Sequence, residues 1–254
     1  MASTHGFFAW YELLTSDADA AQQFYADVIG WNIADSGMPD MDYRMCTMPT
    51  GAIAGLMQIT PAMAQGGARP CWLGYLSVAD IDATLASVTA AGATIMVPPT
   101  EIPEVGHWSM IGDPQGRPVY VMQLAEDAST AFDGSAVGHC AWNELATPDA
   151  AAAQQFYTSQ FDWTLGETMN MGDMGDYCMF RRGEAHTGAI MSAGASPPLW
   201  QFYFRVPNLG TAIEKLKAGG GTLIHGPQAV PGDDEIAIAV DPQGAMFALV
   251  ALRG

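Results

Sequence analysis

Basic residues are scarce in this chain: lysine and arginine number 9 against 27 aspartates and glutamates in 254 residues, for a formal net charge of -18. An acidic surface is repelled by phosphate backbones and anionic lipid headgroups, so neither nucleic acid nor a membrane surface is an expected partner. No apolar run approaches the roughly 20 residues that span a bilayer. The opening segment Met1–Gly6 has neither the basic nor the apolar region of a signal peptide. Cysteine is sparse too. Cys46, Cys71, Cys140 and Cys178 form no C-x-x-C pair, which predicts buried or half-buried thiols in a reducing compartment, the cytoplasm. The five histidines (His5, His107, His139, His186 and His225) make no H-E-x-x-H pattern. A G-x-S-x-G nucleophile elbow and a phosphate-binding P-loop are also missing. Gly219-Gly220-Gly221 falls where a helix ends, which makes it a stop signal and not a phosphate cradle.

What the chain does have is internal repetition. Trp10 to Tyr25 returns as Trp142 to Tyr157, an offset of 132. Trp72 to Asp80 returns as Trp200 to Asn208, and Asp113-Pro-Gln-Gly116 as Asp241-Pro-Gln-Gly244, now at an offset of 128. Four residues are therefore lost between the halves of the second copy. Each half reads as an apolar strand, an Asp- or Asn-capped helix, a glycine stop and further β-structure. Ser16 or Asp17 caps the first helix, and Gly30, Gly92 and Gly220 close helices. Pro98-Pro99 and Pro227 mark bends, and the Asp-Pro-Gln-Gly segments have tight-turn chemistry. The pattern predicts an α+β protein of two tandem modules, residues 1–124 and 136–254, joined by a small, polar linker over 125–135.

The strand followed by Thr-Ser-Asp or Thr-Pro-Asp, the helix carrying Phe-Tyr, and the later Asp-Pro-Gln-Gly resemble the vicinal oxygen chelate superfamily. That group includes glyoxalase I, bleomycin-resistance proteins and extradiol dioxygenases. The resemblance runs over nearly the whole chain, twice, and is nearest to a tandem glyoxalase-related subgroup. It implies paired βαβββ units, each curling a sheet around a cleft. It also implies metal ligands at three kinds of position, occupied here by Trp10, Leu73 and Tyr120 in the first module and by Trp142, Gln201 and Ala248 in the second. None of these is His, Asp or Glu, and only Gln201 offers an amide oxygen. The sequence thus departs from the metal-dependent pattern, and no metal or other cofactor is expected.

Glu12 and Glu144 are the candidate catalytic groups. Each shares a strand face with the Trp two residues before it, and a carboxylate in an aromatic cleft is suited to acid–base work. The plainer alternative is that each ties its sheet together by hydrogen bonds. Gln201, Tyr203 and Arg205 alternate onto one face and could orient a carbonyl or anionic ligand; alternatively Arg205 pairs with Glu144 or an acidic loop. The matching first-module face, Leu73, Tyr75 and Ser77, is less polar, so the two clefts need not be equivalent. Met38, Met41, Met45 and Met48, then Met169, Met171, Met174 and Met179, suggest an apolar flap or ordinary loop packing. Three functions compete. The first is a metal-free enzyme acting on a small carbonyl or aromatic metabolite, with Glu12 or Glu144 as base. The second is a binder that holds a planar compound between Trp10, Trp142 and Tyr120. The third is a lyase or dioxygenase with relocated ligands, Glu12 or Glu144 with His107. The expected partner is a small molecule, and the expected assembly a monomer or homodimer.

Overall fold

The computed structural model describes residues 5–39, 41–126, 129–194 and 198–254. The expected terminus Met1–Thr4 and part of the expected linker, residues 127 and 128, lie outside them. The first repeat contains β1 (Phe8–Thr15), α1 (Ala18–Val28), β2 (Asn32–Asp35), β3 (Tyr43–Met48), β4 (Gly51–Gln58) and a short helix α2 (Pro61–Gln65). It continues with β5 (Cys71–Ser77), α3 (Ile81–Ala90), β6 (Thr94–Ile102), β7 (Gly106–Gly112) and β8 (Pro118–Leu124). The second contains β9 (Cys140–Thr147), α4 (Ala150–Gln160), β10 (Thr164–Asn170), β11 (Asp176–Arg182) and β12 (Ala185–Ser192). It ends with β13 (Leu199–Arg205), α5 (Leu209–Ala218), β14 (Thr222–Ala229), β15 (Asp234–Val240) and β16 (Met246–Leu252). The α+β fold of paired βαβββ units is as the sequence predicts. The strands make two eight-stranded mixed sheets, ordered β2-β3-β4-β1-β5-β8-β7-β6 and β10-β11-β12-β9-β13-β16-β15-β14. Among the described residues, no helix is long and apolar enough to cross a membrane.

Local chemistry accounts for the element boundaries. Asp17, Asp80, Asp149 and Asn208 each accept a hydrogen bond from the backbone N–H three residues on, which satisfies a donor that the helix itself leaves open. Asp17, not Ser16, is the first cap. Pro98-Pro99 and Pro227 do not bend the chain out of the sheet. They lie within β6 and β14, the edge strands, where the register shifts. An edge is where a missing N–H costs least. Met45, Met48, Met169 and Met179 belong to strands and not to loops. Met41 and Met171 are exposed.

The chain divides into two compact units that do not follow the repeat boundary. One comprises residues 1–9, 73–129 and 143–200; the other comprises 10–72, 130–142 and 201–254. Each therefore combines part of one repeat with part of the other. In the first unit Phe8, Tyr157, Phe161, Trp163, Phe180 and Trp200 pack as a buried aromatic core, with Trp163 and Phe180 stacked at 4.1 Å. In the second unit Tyr11, Tyr25, Trp31, Trp72, Phe202, Phe204 and Phe247 do the same. Each core contains the same buried relay. In the second unit the Trp72 indole donates to the Tyr25 hydroxyl at 2.9 Å, and that hydroxyl donates to Asp241 at 3.0 Å. Asp241 Oδ1 also accepts the N–H groups of Gln243, Gly244 and Ala245. In the first unit Trp200, Tyr157 and Asp113 repeat the arrangement. The Asp of each Asp-Pro-Gln-Gly turn thus shapes its own turn with one oxygen and anchors a helix tyrosine from the other repeat with the second.

Candidate ligand-binding site

Strand alternation separates the candidate residues from the core. On β13, Trp200, Phe202 and Phe204 point into aromatic cores, and Gln201, Tyr203 and Arg205 take the other face. Tyr203 pairs in register with Ala248 and Arg205 with Val250, while Ile238 and Ile236 lie opposite Ala248 and Val250. Ala141, Tyr203, Ala248 and Val250 form one buried apolar cluster, with half-buried Trp142, Ile236 and Ile238 packed against it. All these residues belong to the second unit. The three second-module positions that the resemblance marks for metal ligands, Trp142, Gln201 and Ala248, also lie in this unit.

Two polar side chains on that face differ in how they are satisfied. Arg205 donates from both terminal nitrogens to the Asp234 carboxylate, at 2.8 and 2.7 Å, and from Nε to the Gly134 carbonyl at 3.0 Å. Hydrogen bonding to Asp234 raises its pKa further. The acidic partner that the sequence suggested is thus Asp234 and not Glu144, and the guanidinium fork is engaged within the protein. Gln201 is the opposite case. It is 4% exposed, and its Nε2 has no hydrogen-bond partner. A buried donor left unmade costs about 1–3 kcal/mol, so it calls for a reason.

A metal centre does not suit these side chains. A divalent ion needs three or more oxygen, nitrogen or sulfur ligands. Trp142 and Ala248 supply none, and Gln201 supplies at most one amide oxygen. In the first module Trp10 donates its indole N–H to Tyr43 at 2.9 Å, Leu73 is buried, and Tyr120 stacks on Tyr75 at 4.1 Å. Among the described residues, no group of three or more His, Cys, Asp or Glu side chains converges.

Each candidate carboxylate is held by a tyrosine two strands away, across β4 or β12. Tyr177 of β11 donates to Glu144 Oε2 at 2.9 Å. Tyr43 of β3 is hydrogen-bonded to buried Glu12, and burial followed by the Glu12 charge pushes its phenol well above the ordinary value. Tyr43 fits because residue 55 is glycine: a Cβ there would lie 1.9 Å from the tyrosine hydroxyl. Sequence reasoning missed both tyrosines, although their recurrence in matching strands of the two copies was a usable signal. It also missed Trp108, whose ring meets Tyr120 edge-on at 5.3 Å in the first unit. His107 is exposed, and alternation puts it on the opposite face of β7 from Trp108. His139 is structural, hydrogen-bonded to the Thr130 carbonyl and the Thr50 hydroxyl.

Residues 8–119 and 136–249 match the family model described as "Glyoxalase/Bleomycin resistance protein/Dioxygenase superfamily". The Mycobacterium tuberculosis protein named "Putative glyoxylase CFP32" is 30% identical over 249 residues, covering 95% of this chain and 93% of that protein. The anthracycline biosynthesis protein DnrV of Streptomyces peucetius is 26% identical over 264 residues, covering 96% and 93%. Among solved structures, the Mn(II)-bound glyoxalase from Novosphingobium aromaticivorans superimposes with a TM-score of 0.66 at 20% identity, covering 98% of this chain and 82% of that one. The 2,3-dioxygenase LapB from Pseudomonas sp. KL28 does so with a TM-score of 0.67 at 15% identity, covering 98% and 93%. At such identities the superpositions speak for the fold alone.

Proposed function

Because the chain belongs to the glyoxalase/bleomycin resistance protein/dioxygenase superfamily, we propose that it binds a small aromatic or carbonyl metabolite without a resident metal ion. One observation carries this reading: Trp142, Tyr203, Ala248, Val250, Ile236 and Ile238 pack together as an apolar, aromatic face, at positions where the sequence resemblance implies that Trp142, Gln201 and Ala248 take the place of metal ligands. Such a surface gains affinity from apolar contact and aromatic stacking, which need no ion. The resemblance to an anthracycline biosynthesis protein supports an aromatic ligand. The test is Trp fluorescence quenching by a panel of aromatic ketones and phenols, run on protein dialysed against EDTA. Quenching unchanged by EDTA but weakened about tenfold or more in Trp142→Leu is expected, since an aromatic anchor carries about 1–3 kcal/mol. Binding that appears only with added Mn, Fe, Ni or Zn would reverse the reading.

A second reading makes the protein an enzyme, with Glu12 or Glu144 as general base. What favours it is that both repeats hold a carboxylate against a tyrosine hydroxyl. A positioned base contributes about 10²–10⁴-fold to rate. Glu12→Gln and Glu144→Gln should then abolish turnover of a bound compound while leaving its affinity intact. If turnover survives both changes, neither carboxylate is the base; if no compound that binds is turned over, the binder stands alone.

A further inference from the structure

Gln201 invites a more specific assignment, which rests on the metal-free binding reading above. Its Nε2 is buried without a partner, and strand alternation puts it on the face that carries Tyr203, beside the Ala248 strand. A donor left open there is complementary to an acceptor that arrives with a ligand. The cation on the same face of β13 is not free to receive a carboxylate, because Arg205 is forked onto Asp234. Around them the groups are apolar: Ala248, Val250, Ile236, Ile238 and the ring of Trp142. An anionic ligand would lose hydration on this face without gaining a counter-charge, whereas a neutral carbonyl oxygen needs only one donor.

We propose that Gln201 determines specificity by donating its side-chain N–H to the carbonyl oxygen of an uncharged, flat aryl ketone seated against Trp142 and Tyr203. The amide occupies the position the superfamily uses for a metal ligand, so a neutral donor replaces the ion as the group that recognises the oxygen. Sites built to hydrogen-bond a ligand group discriminate strongly against analogues lacking it, because the protein donor is then left unmade.

The full-length protein and two probes of nearly the same shape test this: 9-fluorenone, which has the carbonyl, and fluorene, which lacks it. The readouts are the dissociation constant of each probe and the ¹H–¹⁵N signal pair of the Gln201 amide, identified by its loss in Gln201→Met. Wild-type protein should bind fluorenone about tenfold more tightly than fluorene, the worth of one hydrogen bond, and the Gln201 pair should shift only with fluorenone. In Gln201→Met the two probes should bind alike. Should that variant fail to fold, Gln201→Glu presents an acceptor in place of the donor and should equally lose the ketone preference. A preference that persists in the variant, or an amide pair unmoved by bound fluorenone, overturns the proposal. Equal wild-type binding of both probes overturns it too, yet leaves metal-free binding standing. If neither probe binds, the binding reading fails and the proposal with it.

Discussion

The unpartnered Gln201 amide has a consequence for stability that needs no ligand. Replacing it with methionine removes a buried donor and keeps the side-chain length, so Gln201→Met should stabilise the protein by about 1–2 kcal/mol in denaturant unfolding. A loss of stability instead would mean that the amide has a partner in the folded chain. Arg205 should behave in the reverse way. Its fork with Asp234 and its bond to Gly134 make it a clamp, and Arg205→Met leaves Asp234 without its counter-ion. Breaking a fully buried pair costs about 3–5 kcal/mol; Asp234 is partly exposed, so about 2 kcal/mol is expected from the shift in urea midpoint. The contrast marks what a strand sequence can convey. Period-two spacing places Gln201, Tyr203 and Arg205 on one face, but it contains no information about which of them the rest of the chain already satisfies. Asp234, the residue that answers the question for Arg205, lies 29 positions away.

At the scale of strands and helices, the sequence was most readable where structure is made by neighbours. Asp17, Asp80, Asp149 and Asn208 cap their helices as their positions imply, and the Asp-Pro-Gln-Gly segments turn as their chemistry dictates. Pro98-Pro99 misled because a proline pair looks the same in a bend and in an edge strand. The distinction is which strand lies outermost, and that is settled by pairing partners remote in sequence. The tyrosine–carboxylate pairs are likewise contacts between strands. Tyr43 reaches Glu12 only because β4 offers Gly55, paired in register with Glu12. Gly55→Ala should therefore displace the Tyr43 ring and cost about 1–3 kcal/mol, the range for overpacking a filled site. Tyr43→Phe in the same background should recover part of that loss, as thermal unfolding would show. No recovery would mean that alanine acts on the β4 backbone and not on the hydroxyl.

For the whole molecule, family membership and repeat architecture were legible twice over, while for the candidate face the sequence offered only a departure from the superfamily's ligand pattern. If Trp142, Gln201 and Ala248 truly replace a metal centre, prolonged dialysis against EDTA should leave the melting temperature unchanged; a fall of several degrees would show a structural ion. The buried Asp241 gives a pH signature. Burial raises its carboxyl above the ordinary value despite the N–H groups and the Tyr25 hydroxyl that bond it. A folded-state pKa above the unfolded one favours the protonated form in the fold. That contribution is full below the unfolded value of about 4 and fades as pH rises through the folded value. Wild-type protein should thus gain melting temperature relative to Asp241→Asn as the buffer is taken from pH 7 towards 4.5, and a gap moving the other way would show that the ionised form is the one the fold prefers. Finally, the interleaving of the two compact units bears on biosynthesis. The unit that begins at Trp10 ends only at Gly254, so its first strands leave the ribosome long before β13 to β16 exist to complete their core. The other unit has all its parts once residue 200 has emerged. A nascent chain therefore has the parts of that other core first, and β1 to β4 spend most of translation as waiting surface, the stage at which exposed strands aggregate or recruit chaperones.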